Sequence, residues 1–147
     1  MTIDVSSIGV SVRLTASQTY PQGITLTTFP EDGDIGPTGT TTVGAHASGV
    51  NGHLIVWKTA NGITVGLPLI PNTEDCALME KLFAANTPAP NKNVAKDIID
   101  MVVTNPITGV PTTYRNGWIE EGMPSNQYGL DGRIKTKTFN MTFESVI

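Results

Sequence analysis

The hydrophobic pattern changes period along the chain, and the changes mark the elements. Val10, Val12 and Leu14 alternate with Ser11, Arg13 and Thr15, the period of a half-buried strand. Tyr20-Pro21-Gln22-Gly23 predicts a turn, with Pro at its second position and Gly at its fourth. Ile24, Leu26 and Thr28 continue as a second strand ending at Phe29-Pro30. Further on, two β-rich runs flank Asn61-Gly62. That dipeptide predicts a hairpin, because a type I′ turn takes φ > 0 at both central residues. A two-residue turn sets Ala60 against Ile63, Lys58 against Val65, Trp57 against Gly66 and Val56 against Leu67. The bare Gly66 then leaves room for the Trp57 indole. Apolar residues fall on both faces of this hairpin, where one wet face would give cleaner alternation. Cover on both sides is expected, with Trp57 buried in the core or between subunits. Pro68 inside the second run predicts an edge or a bend there.

The period then shifts to that of a helix. Pro71-Asn72-Thr73 stops the strand and offers an N-cap, and Glu74 and Asp75 place acid in the first turn, where the helix dipole favours it. Leu78, Met79, Leu82 and Phe83 form a narrow packing stripe, with Glu80 and Lys81 away from it. Asn86 with Pro88 ends the helix, which is predicted over residues 74–86. After a connector at 87–91, residues 98–103 predict a strand, 105–109 a turn and 110–114 its return. Trp118-Ile119 reads as a short strand before the break at 120–124. Residues 133–146 read as the last strand. Lys135, Lys137, Phe139, Met141 and Phe143 share one face of it, so that strand is expected to leave solvent and enter a core.

Residues 1–7 read as a loose arm. Residues 33–52 carry six glycines and a threonine run. They are too long and too poor in core residues for an ordinary loop. Together with residues 53–60 they predict a projecting arm that orders against another subunit.

Composition sharpens this picture. At 147 residues the chain is expected to form one domain, 1–147, large enough to bury a core. Only 15% of residues are charged, which predicts a surface that meets other protein. The net charge of −4, without a Lys/Arg run, argues against a protein that grips nucleic acid. One cysteine, Cys76, excludes an internal disulfide and a cysteine metal cluster. The first residues lack the basic and apolar regions of a signal peptide, and no apolar run approaches a membrane span. A soluble product made in the cytosol, without a membrane anchor, is expected.

Candidate chemistry is sparse. His46 and His53 have no third and fourth ligand at metal spacing and read as loop histidines. Glu31, Asp32 and Asp34 lack the calcium-loop pattern and read as a solvated turn. The pairs Asp97/Asp100 and Glu120/Glu121 read as surface charge rather than catalytic acids. Cys76 has no histidine partner at a recognisable spacing and reads as a small buried helix residue. The glycines of 33–52 lack the Gly-Lys-Ser/Thr of a phosphate loop. Trp57 and Trp118 read as core or interface anchors rather than stacking platforms. No catalytic residue, metal or cofactor is expected, and an enzyme is not.

The order of signals runs from a strand through Phe29-Pro30-Glu31-Asp32-Gly33-Asp34 to a Thr/Gly arm containing Val43-Gly44-Ala45. The hairpin follows, then the run from Leu67 to Asp75 into a helix, a late Trp118-Ile119 and a closing basic-to-apolar strand. Over roughly residues 8–146 this resembles the tail tube proteins of contractile-tailed bacteriophages, which are related to type VI secretion tube proteins. The segment Ala45–Val50 departs from that pattern in being rich in glycine and alanine. The resemblance implies a mainly β fold: an antiparallel β-sandwich or barrel with one flanking helix and a projecting arm. It implies a structural virion protein of the phage tail, assembled in the host cytoplasm. Its hexameric rings would stack into an inner tube that conducts DNA inside a contractile sheath. Implied partners are copies of itself, the sheath protein, a tape-measure protein in the tube and passing double-stranded DNA without specific binding. The alternative is a β-sandwich module on a virion surface that binds carbohydrate or a receptor. Residues expected at the ring interface are Val43, His46, Val50, His53, Leu54, Val56, Trp57, Val65 and Leu67.

Overall fold

Nine strands and one helix follow in chain order: β1 (Ser11–Ala16), β2 (Tyr20–Leu26), β3 (Gly36–Pro37), β4 (Gly44–Ser48), β5 (Leu54–Lys58), β6 (Ile63–Leu69), α1 (Glu74–Asn86), β7 (Ile99–Thr104), β8 (Thr112–Glu121) and β9 (Lys137–Val146). They are seen in a computed structural model that describes residues 2–147. Seven strands form one antiparallel sheet in the order β2-β1-β7-β8-β9-β6-β3, and β4 with β5 forms a separate two-stranded ribbon. The mainly β class with one flanking helix is as the sequence predicts.

Period-two alternation makes the core. Val12, Leu14 and Ala16 of β1, Val65, Leu67 and Leu69 of β6, Ile99 and Met101 of β7, and Phe139, Met141 and Phe143 of β9 are all buried. The α1 side chains Cys76, Met79 and Leu82 are buried in the same cluster, with Phe83 half-buried against it. Burying each large apolar side chain is worth about 1.5–3 kcal/mol, so this shared face holds sheet and helix together. The helix begins as predicted: the Thr73 hydroxyl accepts from the Cys76 N–H at 3.3 Å, with Glu74 and Asp75 in the first turn. It ends at Asn86 as predicted, with Thr87 as its cap. Lys92 donates to the carbonyls of Ala84 and Thr87 at that end.

Four sequence expectations need correction. Residues 61–62 do not form a hairpin turn: neither Asn61 nor Gly62 has the positive φ that a type I′ turn takes. β6 runs instead against β9, from Ile63 opposite Phe143 to Leu69 opposite Lys137, and β5 pairs with β4. Trp57 therefore faces Ala45, while Gly66 faces Asn140 and Gly36. The first turn lies at Ser17–Thr19, and Tyr20–Gly23 is already strand, with Gly23 at φ +84°. The segments 110–114 and 118–119 are one strand, β8, kinked by a bulge at Asn116, whose φ is 54°. The last strand starts at Lys137, not at Arg133, and Lys137 is already buried. Pro68 fits its predicted edge position, since the β3 ladder covers only Val65 and Gly66 of β6.

Two glycines are fixed by aromatic packing. A Cβ on Gly117 would lie 2.3 Å from Phe143 Cδ1, and one on Gly122 2.8 Å from Phe139 Cδ1. Gly117→Ala is therefore expected to overpack the β8–β9 contact and cost about 1–3 kcal/mol. An unchanged urea midpoint would show that the Phe143 ring has room to move.

Candidate functional site

The ribbon follows from its local sequence. Gly44 faces Lys58, Ala45 Trp57, His46 Val56, Ala47 Ile55 and Ser48 Leu54. Its tip is a tight turn, where the Gly49 N–H donates to the His53 carbonyl at 2.8 Å and the Gly52 N–H to the Gly49 carbonyl at 3.0 Å. Gly52 sits at φ +82°, which no β-branched residue would take cheaply. At the root, the Thr59 N–H donates to the Val43 carbonyl and the Asn61 amide to the Thr42 carbonyl at 2.9 Å.

Strand alternation gives the ribbon two faces. Leu54, Val56 and Lys58 share one with His46 and Ser48, and Ile55 and Trp57 share the other with Ala45 and Ala47. All five β5 residues are exposed, although four are Leu, Ile, Val and Trp. Leu54 is 66% exposed, Val56 67% and Trp57 49%. An isolated two-stranded ribbon is marginally stable in water, and contiguous exposed apolar surface marks an interaction site. The cover predicted for both faces is not supplied by the chain's own sheet.

Of the expected interface residues, the ribbon and its tip gather Val43, His46, Val50, His53, Leu54, Val56 and Trp57, all exposed. Val65 and Leu67 are the exception. Both are fully buried in the core, because β6 belongs to the main sheet rather than to the ribbon. The sequence reading missed Ile55, 54% exposed beside Trp57. Its signal was present, since residues 55 and 57 share a face of any strand.

A second apolar surface lies at the foot of the ribbon. Val94, Ala95, Ile98, Trp118 and Thr142 line a groove of about 950 Å³, and Gly62 forms part of its rim. Trp118 is 63% exposed, and its indole N–H donates to Glu120 at 3.0 Å.

The acidic residues are used structurally. Glu31 pairs with Arg133 at 2.8 Å, and the guanidinium holds the Glu31 carboxyl below its ordinary range. The Thr136 hydroxyl donates to Asp32 at 2.7 Å and lowers that carboxyl too. Asp97 is buried, not surface charge as the sequence suggested, and accepts four hydrogen bonds. Asp100 accepts the N–H of the bulged Asn116 at 3.0 Å, and Glu121 accepts from Asn140 at 3.0 Å. Burial pushes the Cys76 thiol up to about 11, helped by its bond to Glu80. Among the described residues, no three or more His, Cys, Asp or Glu gather as a metal site, and no helix is long and apolar enough to cross a membrane.

Residues 3–147 match the family described as "Tail fiber protein gp32". The chain belongs to that family. Membership makes it a structural tail component and places it in a virion or phage-like tail particle. No curated protein matches the chain. Among solved structures, the gp32 family chain is similar to the tube-terminating cap of the anti-feeding prophage, with TM-score 0.58 and 10% identity over 100% of this chain and 93% of that one. It is also similar to the anti-feeding prophage baseplate, with TM-score 0.60 and 9% identity over 100% and 96%. A third similarity is to the sheath-tube complex of an extracellular contractile injection system, with TM-score 0.55 and 13% identity over 99% and 90%. At such identities the likeness is one of fold. The gp32 family chain thus shares its fold with parts of contractile injection systems.

Proposed function

We propose that the chain forms stacked hexameric rings of the inner tail tube, inside a contractile sheath. The observation that carries this is the β4–β5 ribbon, which has exposed apolar residues on both faces and is uncovered by the rest of the described chain. A projecting ribbon that meets a different patch on the next copy makes a heterologous contact, which propagates as a filament. The fold shared with chains of a tube-terminating cap and of a sheath-tube complex supports the same reading. In this role the tube encloses a tape-measure protein and later passes double-stranded DNA. A net charge of −4 suits a conduit that must not hold phosphate.

Trp57→Ala tests the reading. The indole is 49% exposed, so its loss is expected to change stability by less than about 1 kcal/mol. Tube growth seen by negative-stain microscopy is expected to stop, because a buried aromatic anchors a contact. Tubes of normal length from this variant would refute the stacking role of the ribbon.

A second reading is a binding module or fibre on the particle surface. The family description and the exposed Trp118 beside its groove favour it. Compact monomers that bind a glycan array, with no rings in micrographs, would support it over the tube.

A further inference from the structure

Among the described residues, the Ile55–Trp57 face of the ribbon and the groove beside Trp118 are both apolar and uncovered. We propose that they are the two halves of one contact, with the ribbon of one copy lying in the Trp118 groove of the next. The inference rests on the stacking reading above and names the surface that receives the ribbon.

The shapes correspond. Ile55 and Trp57 stand opposite Ala47 and Ala45, so this face is a ridge of two large side chains beside a low floor. The groove, at about 950 Å³, is more than one side chain fills. Its wall of Val94, Ala95, Ile98 and Trp118 is apolar where the ridge is apolar. The ridge brings no charge into the groove: Lys58, the one charged residue between positions 43 and 59, lies on the ribbon's other face with Leu54 and Val56. An uncharged ridge suits an apolar wall, since a charge buried there would need a partner.

Position completes the argument. Gly62 belongs to the groove rim and follows shortly after β5, so each ribbon leaves its domain beside its own groove. A ribbon docked in the next copy therefore lies against that copy's ribbon root, and the contact is continuous along a stack. Ribbon and groove are different patches, so the contact does not close on itself.

The test mixes two variants under assembly conditions, Ala47→Cys on the ribbon face and Ala95→Cys in the groove, followed by mild oxidation. Cys76 adds no competing thiol, being buried. A disulfide between the two variants is expected in the mixture and in neither variant alone. Adding Trp118→Asp to the groove variant is expected to lower its yield about tenfold with an unchanged melting temperature. Ile98→Asp is expected to do the same, which guards against a folding defect in the first variant. Tubes that form without the link, or that keep it despite both substitutions, would overturn the groove while leaving the stacking reading standing. A parent chain that forms monomers only, with a small apolar probe as the groove's sole occupant, would overturn both.

Discussion

Asp97→Ala is expected to lower the melting temperature by roughly 6–12 °C, the shift for a loss of about 3 kcal/mol in a domain of this size. One Asp97 oxygen accepts the N–H groups of Gln18 and Thr19 at 2.7 and 2.8 Å. The other accepts the Thr19 hydroxyl at 2.6 Å and the Asn86 amide at 2.8 Å. One carboxylate thus joins the β1–β2 turn, the end of α1 and the segment entering β7. Alanine leaves four donors unpaired at a site only 4% exposed. Asparagine keeps the shape, but its own amide then faces the Asn86 amide. Asp97→Asn is expected to recover only part of the loss. Thermal melts of the two variants check this, and a shift below about 2 °C for alanine would show that water replaces the carboxylate.

The same site sets an acid limit. Burial alone would raise the Asp97 pKa, but the donated hydrogen bonds outweigh it and hold the carboxyl below its ordinary value of 3.8. At Asp75 burial is likewise outweighed, here by the N–H groups of Thr27 and Thr28 at 2.9 and 3.0 Å. A depressed folded pKa means that the unfolded chain binds the proton more readily. This stability is complete above the unfolded value of about 3.9 and is lost as pH falls through the lower folded value. Stability measured from pH 6 downwards is expected to fall in that window, and less steeply for Asp97→Ala.

The helix was legible because its signals are local. Thr73, Glu74 and Asp75 act within one turn, and Met79 and Leu82 keep their spacing wherever the helix packs. The ribbon was legible as an uncovered apolar arm, but not as a pairing. Asn61-Gly62 carries the composition of a tight turn, yet the long ladder of β6 with β9 outcompetes it. Gly62 serves close approach instead, since a Cβ there would lie 2.7 Å from the Thr142 methyl. That partner stands eighty residues away, and no local pattern names it. The same misreading moved Val65 and Leu67 from the core to the interface. β8 was split because its strand pattern breaks at Asn116, where a bulge sits inside a continuous strand. Asp97 was missed because a buried carboxylate needs donors from three separate segments, which only the fold assembles.

Lys137 shows where a face read as charged-to-apolar conceals a charge in the core. Its side chain is 2% exposed and pairs with Glu80 of α1, which is 42% exposed and also accepts from the Cys76 thiol. Glu80→Ala is expected to cost about 3 kcal/mol, since it leaves the ammonium buried without a counter-charge. Lys137→Met is expected to lie within about 1 kcal/mol of the parent, because a buried ion pair replaced by a matching apolar side chain is often neutral or stabilising. Glu80 then loses its partner but remains partly in water. The double variant Glu80→Ala with Lys137→Met is expected to match Lys137→Met alone, because the cost arises from the stranded lysine. Urea unfolding of the three variants with a common slope gives the comparison directly. Equal losses for the two single variants would mean that the pair itself, rather than relief of a buried charge, stabilises the seam between α1 and β9.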